Sequence, residues 1–239
     1  MNDYDKRYKE NKKMIEEYKV RFLTQTNFPP FKKQSQDPDN KLAPFKHTAH
    51  LIFIRTKFLF LGLLNEMETK NAFAAFAILK TYWETVAMMG YFILSAQSLL
   101  QLGRVDDLND LSRKLAMGGK KFPTKKMLED KGLPLEDYIL PNVLTMIDKI
   151  DKDWNKRFKE GGLKPISMFR EEYDEFIAEA GHPTYMGLYT GGRWLADGSL
   201  LPDLNKSWSS EDESGIDNYC SLASTIFFDY WNKFLNLTK

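Results

Sequence analysis

The run from Lys70 to Leu100, KNAFAAFAILKTYWETVAMMGYFILSAQSLL, constrains the fold more than any other part of the chain. Its apolar residues fall on every side of a helical wheel, and a helix hydrophobic all round belongs inside a protein or in a membrane. Lys80 and Glu84 stand near its middle, one turn apart and so on one face. Phe73, Phe76, Ala77, Ala87 and Tyr91 share that face. Charges at a bilayer centre cost roughly 2.5–3.5 kcal/mol each, so the run reads as the buried helix of a bundle. The apolar run Leu51–Leu64 is shorter and carries Arg55 and Lys57. It reads the same way, and no membrane association is expected.

The rest of the chain arranges itself around this helix as one all-α domain over residues 1–239, a bundle of six or seven helices. An amphipathic helix from Asp3 to about Gln25 directs Tyr4, Tyr8, Met14, Ile15, Tyr18, Phe22 and Leu23 to one side. It stops before Pro29-Pro30, which cannot continue the hydrogen-bond ladder. A polar loop leads to a second helix, from about Pro44 to Glu66. A tight connection then makes an antiparallel hairpin with the central helix. Gly103 ends that helix, and Val105–Met117 is a short one ended by Gly118-Gly119. Leu135–Phe158 reads as a helix with Pro141 near its start or at a kink, and Ile166–Ala180 as the next. Residues 184–213 hold five glycine or proline breaks and no apolar period, so a long loop is expected there. Ile216–Leu237 closes the chain as a helix. No strand pattern stands out.

A formal net charge of +1 excludes a general polyanion binder, which needs a basic excess. Nucleic acid is therefore not an expected partner. The single cysteine, Cys220, permits no internal disulfide and fits a reducing, cytoplasmic setting. Arg113, Lys114, Lys120, Lys121, Lys125 and Lys126 form a basic stretch, read as a solvated loop or as the counterpart of the acids at Glu211–Glu213 and Asp217. The glycines at 187, 191 and 192 lack the Gly-Lys-Ser/Thr ending of a phosphate loop.

Two features carry chemistry. Lys80 and Glu84 form either a self-neutralising pair or an ionisable pair lining a cavity. Glu179 and His182 share the last turn of a helix in the Glu-x-x-His spacing that di-iron bundles use twice. Here that spacing occurs once. His182 therefore reads either as a cation at a helix C-terminus or as a ligand in a mixed set with His47, His50, Glu84 and Glu179. No cofactor is expected on the first reading, and a divalent metal on the second.

Ala77-Ile-Leu-Lys80-Thr-Tyr-Trp-Glu84 resembles the core helix, Arg-x-x-x-Glu, of a group of bacterial helical proteins of unknown function. Tyr173-Asp-Glu-Phe-Ile-Ala-Glu179-Ala-Gly-His182-Pro183 resembles the Tyr-x-x-Leu-Ser-Glu-x-x-His-Pro helix end of the same group. The resemblance spans roughly residues 45–190. Lys80 stands where the group has arginine, and Ala178 where it has serine; an ammonium does not make arginine's two-pronged pair with a carboxylate. Such groups are similar in outline to the HEPN superfamily of small nucleases and abortive-infection proteins. HEPN ribonucleases use an arginine, four to six residues and then a histidine, and no such pair stands here. The preferred reading gathers Lys80, Glu84, Tyr173, Glu179 and His182 in one polar cluster of a binding or interaction protein, and the resemblance implies a setting in bacterial stress or phage defence. A small ligand or protein partner and self-association go with that reading. The catalytic alternative is a degenerate HEPN-like nuclease or a metal-dependent helical hydrolase or oxidase.

Overall fold

A computed structural model describes residues 3–25, 28, 40–117, 140–162, 168–178, 192–202 and 210–239. The architecture is all-α. Helix α1 spans Asp3–Thr24, α2 Ala43–Glu68, α3 Ala72–Gln101, α4 Val105–Met117 and α5 Val143–Glu160. Helix α6, Met168–Glu172, runs on into a π-helical turn at Tyr173–Ile177, and α7 covers Ser210–Leu237.

Helix α3 is the axis. It packs against α2, α4, α5, α7 and the π turn, so most of its circumference is covered, while Phe73 near its start stays 54% exposed. Tyr82, Trp83, Met89, Phe92 and Ile93 are completely buried along it. Burying a tyrosine or tryptophan obliges its polar atom to find a partner. Tyr82 shares a hydrogen bond of 2.8 Å with the Ser224 hydroxyl, and Trp83 donates Nε1–H to the Tyr219 carbonyl at 3.1 Å. Both bonds tie the central helix to α7. Gly90 lets α5 and α7 come close: a Cβ there would lie 2.6 Å from Ile150 Cδ1 and 2.8 Å from Tyr230 Cε2.

The connection between α2 and α3 is as short as expected. Thr69 and Lys70 close α2, Lys70 adopts the left-handed conformation at φ +58°, and Asn71 caps α3 by accepting from the Ala74 amide. Gly103, at φ +69°, follows the end of α3.

Helix α2 departs from its expected burial. One face, with Phe45, Ala49, Phe53, Phe60 and Leu63, is buried against the bundle, Phe53 meeting Phe22 of α1 and Phe227 and Trp231 of α7. The other shows Leu51, Ile54 and Phe58, the last 68% exposed. Among the described residues α2 is the one helix long and apolar enough to cross a membrane, and 39% of its most apolar window is buried within the fold.

Three local features differ from the expected ones. Pro141 precedes α5 instead of kinking it, because Asn142 caps the helix by accepting from the Leu144 amide at 3.0 Å. The closing helix begins at Ser210, six residues before Ile216. Its first turns are polar and show no apolar period, yet acids suit a helix N-terminus, and Glu213 is held by Lys12 and Tyr8 of α1. Finally, the expected long loop contains a small antiparallel hairpin, Gly192–Trp194 (β1) with Leu200–Pro202 (β2), turning at Gly198, φ +80°. Strands of three residues are too short to show an alternation.

Candidate functional site

The π turn at Tyr173–Ile177 is the irregular element of the fold. Single π turns inside α-helices are rare and recur at functional sites. This one lies against α3 and is positioned by two independent contacts. Phe169, one turn earlier, stacks flat on Trp83 with ring centroids 4.2 Å apart and planes 10° apart. The buried Asp151 of α5 caps the start of α6 by accepting from two of its backbone amides.

Held in this way, the Tyr173 hydroxyl donates to Glu84 Oε1 at 2.7 Å, bridging 89 residues of sequence. Burial, then the carboxylate of Glu84, push the phenol well above its ordinary range. It is therefore a donor at every physiological pH. Lys80 stands one turn before Glu84, and both side chains are half-buried instead of enclosed. The cluster lies along the edge of the core.

The same edge of α3 continues with polar contacts. Lys149 of α5 donates to the Ser95 hydroxyl at 2.7 Å and lies 4.8 Å from the Tyr91 ring centroid. Burial lowers its pKa. Ser95 in turn donates to the Tyr91 carbonyl at 2.7 Å, so its hydroxyl hydrogen is committed within the helix. This serine–lysine contact is structural. Beside the π turn, Arg170 pairs with Asp174 and donates to Asp148 Oδ1 at 2.9 Å. On the far side, burial and Glu172 raise the Tyr219 phenol.

Of the five residues expected in one cluster, Glu84 and Tyr173 meet directly and Lys80 flanks them. Glu179 and His182 lie outside the described residues. The proposed metal set is divided in the same way. His50 sits in an aromatic cluster, stacked on Phe28 at 4.3 Å and edge-on to Phe234 at 5.6 Å. Its pKa falls to about 4 through burial and then the charges of His47 and Lys46. Burial lowers His47 as well. Among the described residues no three histidines, cysteines or acids gather where they would hold a metal ion. Cys220 is buried, and burial raises its thiol far from the reactive range.

Among the acids read as a counterpart for the basic stretch, Glu213 is engaged by α1. Glu213 Oε1 takes Lys12 at 2.6 Å and the Tyr8 hydroxyl at 2.8 Å, both from α1. Residues 118–126 of that stretch lie outside the described residues.

Sequence reasoning missed Asp151, although a signal was there. It falls on the inward stripe of α5 with Ile147, Ile150 and Trp154, and an acid on an apolar stripe marks a buried hydrogen-bond acceptor. No family model, no curated protein and no solved structure matches the chain.

Proposed function

We propose that this chain is a binding protein whose recognition site is the edge of α3 at Glu84, Lys80 and Tyr173, taking a small polar ligand. The observation behind this reading is the hydrogen bond from Tyr173 to Glu84 out of a π turn. A π turn forgoes regular helical bonding, and here its Tyr173 side chain meets the half-buried acid Glu84. The carboxylate accepts, the phenol and the neighbouring ammonium donate, and a polar ligand entering between them exchanges one set of hydrogen bonds for another. The bacterial stress or phage-defence setting belongs to the same proposal through the resemblance, a cytoplasmic location through the single cysteine, and self-association through the helical-bundle architecture.

A thermal-shift screen of polar small molecules tests it, with Tyr173→Phe and Glu84→Gln as partners to the wild type. A true ligand raises the wild-type Tm and loses at least tenfold in affinity in both variants while their folds persist. Ligands that bind both variants as well as the wild type would sink the assignment. Stoichiometric iron, manganese or zinc, lost in His182→Ala, would favour the enzyme reading instead.

A further inference from the structure

A cleft of about 280 Å³ opens between α1, the C-terminal end of α2 and the first turns of α7. It shares no residue with the Glu84–Tyr173 site. Asp217 lines it and is 2% exposed, and its Oδ2 finds no hydrogen-bond partner among the described residues. Buried carboxylate oxygens are normally satisfied, and one left alone calls for an explanation.

The surroundings narrow the chemistry of what would satisfy it. Ile15, Leu64 and Met67 give the cleft apolar walls. Its charged lining is Lys12, Glu16 and Lys19 from α1, Glu68 from α2, and Glu213 with Asp217 from α7. Lys12 is taken by Glu213 at 2.6 Å, and Lys19 lies 3.8 Å from Glu16. With both lysines matched by acids, Glu68 and Asp217 leave the cleft negative. An end of α2 contributes its carbonyl pole to the same side.

We propose that this cleft binds a small aliphatic amine, its ammonium donating to Asp217 Oδ2 and its hydrocarbon body lying against Leu64 and Met67. A lone acceptor oxygen matches a compact ammonium better than a guanidinium, whose fork needs two. The volume is at the low end for ligand sites, roughly 300 Å³ upward, so the ligand is small. Lys12, 48% exposed at its side chain, and Glu213 form the rim that parts for the ammonium to reach the covered Oδ2. Burial raises the Asp217 carboxyl to about 6, Lys12 opposing and Glu213 assisting. It is therefore ionised at neutral pH and takes a proton in mild acid.

Isothermal titration of the full chain with n-butylamine and 1,4-diaminobutane at pH 7.5, against n-butanol as the neutral isostere, decides the matter. The amines are expected to bind saturably and at least tenfold tighter than butanol. Affinity should fall at least tenfold in Asp217→Asn and on lowering the pH from 7.5 to 5. Should Asp217→Asn fail to fold, Met67→Trp fills the cleft without touching the carboxylate and should abolish binding. Tyr173→Phe should leave it unchanged, which separates this site from the one proposed above. No saturable amine binding, equal binding of butanol, or undiminished affinity in folded Asp217→Asn or Met67→Trp would overturn the proposal.

Discussion

Asp151 Oδ1 accepts the backbone N–H of Phe169 at 3.1 Å, and its Oδ2 accepts that of Arg170 at 2.9 Å. One helix thus caps the next from the side. The first amides of any helix lack partners within it, and a carboxylate there also meets the positive pole of the helix. Because α6 carries Tyr173, this capping contact sets the position of the phenol opposite Glu84.

Replacing Asp151 by alanine orphans two amides, one of them fully buried. The cost is expected at about 2–3 kcal/mol, since bonds to charged acceptors contribute ~1.5–3 kcal/mol. Urea denaturation measures it. Hydrogen exchange should show the extra loss of protection concentrated in residues 168–178.

Tyr173→Phe removes the bond to Glu84 and nothing else of comparable size. The half-buried carboxylate regains water, so the loss should be only about 1 kcal/mol. A larger loss, above ~2 kcal/mol, would mean that the bond holds the fold and is not spare capacity for a ligand.

Gly90→Ala sets two effects against each other. Alanine favours a helix interior by about 1 kcal/mol over glycine. Its Cβ, however, would stand 2.7 Å from Ile150 Cγ1 and 2.8 Å from the Tyr230 ring, and overpacking costs ~1–3 kcal/mol. Steric crowding should win, with a net loss of about 1–2 kcal/mol. Adding Ile150→Ala should make the pair less costly than the sum of the single changes, as a double-mutant cycle would read.

Buried Asp217 and half-buried His50 give opposite pH dependences. The Asp217 carboxyl titrates at about 6 in the fold against 3.8 ordinarily. Between those values the folded state binds more protons than the unfolded one, so this group lowers stability as pH rises through 4 to 6. Its removal in Asp217→Asn should add on the order of 2 kcal/mol above pH 7 and nothing near pH 4. His50 titrates at about 4 against 6.5, so the unfolded state binds the extra proton and stability falls as pH drops from 6.5 to 4. His50→Phe should remove that loss, on the order of 2 kcal/mol after allowance for partial exposure. Melting curves from pH 4 to 8 for each variant against wild type isolate the two slopes, which should have opposite signs.

The reach of the sequence differs from element to element. The central place of helix α3 is readable, because apolar residues on all sides need several neighbours to cover them. Pro141 and Gly103 marked helix limits because proline and glycine constrain the backbone locally. Tyr173 and Glu84 were both singled out, but as two members of a set of five. Their direct bond depends on Phe169 stacking on Trp83 and on Asp151 capping α6, contacts between segments far apart in the chain. The outward face of α2 was not readable at all. Leu51, Ile54 and Phe58 look no different in sequence from Phe53 and Phe60, which are buried.

What the sequence determined by itself is the class of fold and the identity of its axis, since periodicity and composition act within one helix turn. The tertiary structure alone decided which faces are covered, that Asp217 loses its solvent, and that a π turn delivers Tyr173 to Glu84. Those outcomes follow from which helices pack together, and packing depends on surfaces assembled from residues more than two hundred positions apart, as Tyr8 and Glu213 are, 205 residues apart in sequence. No local pattern of apolar and polar residues records that choice.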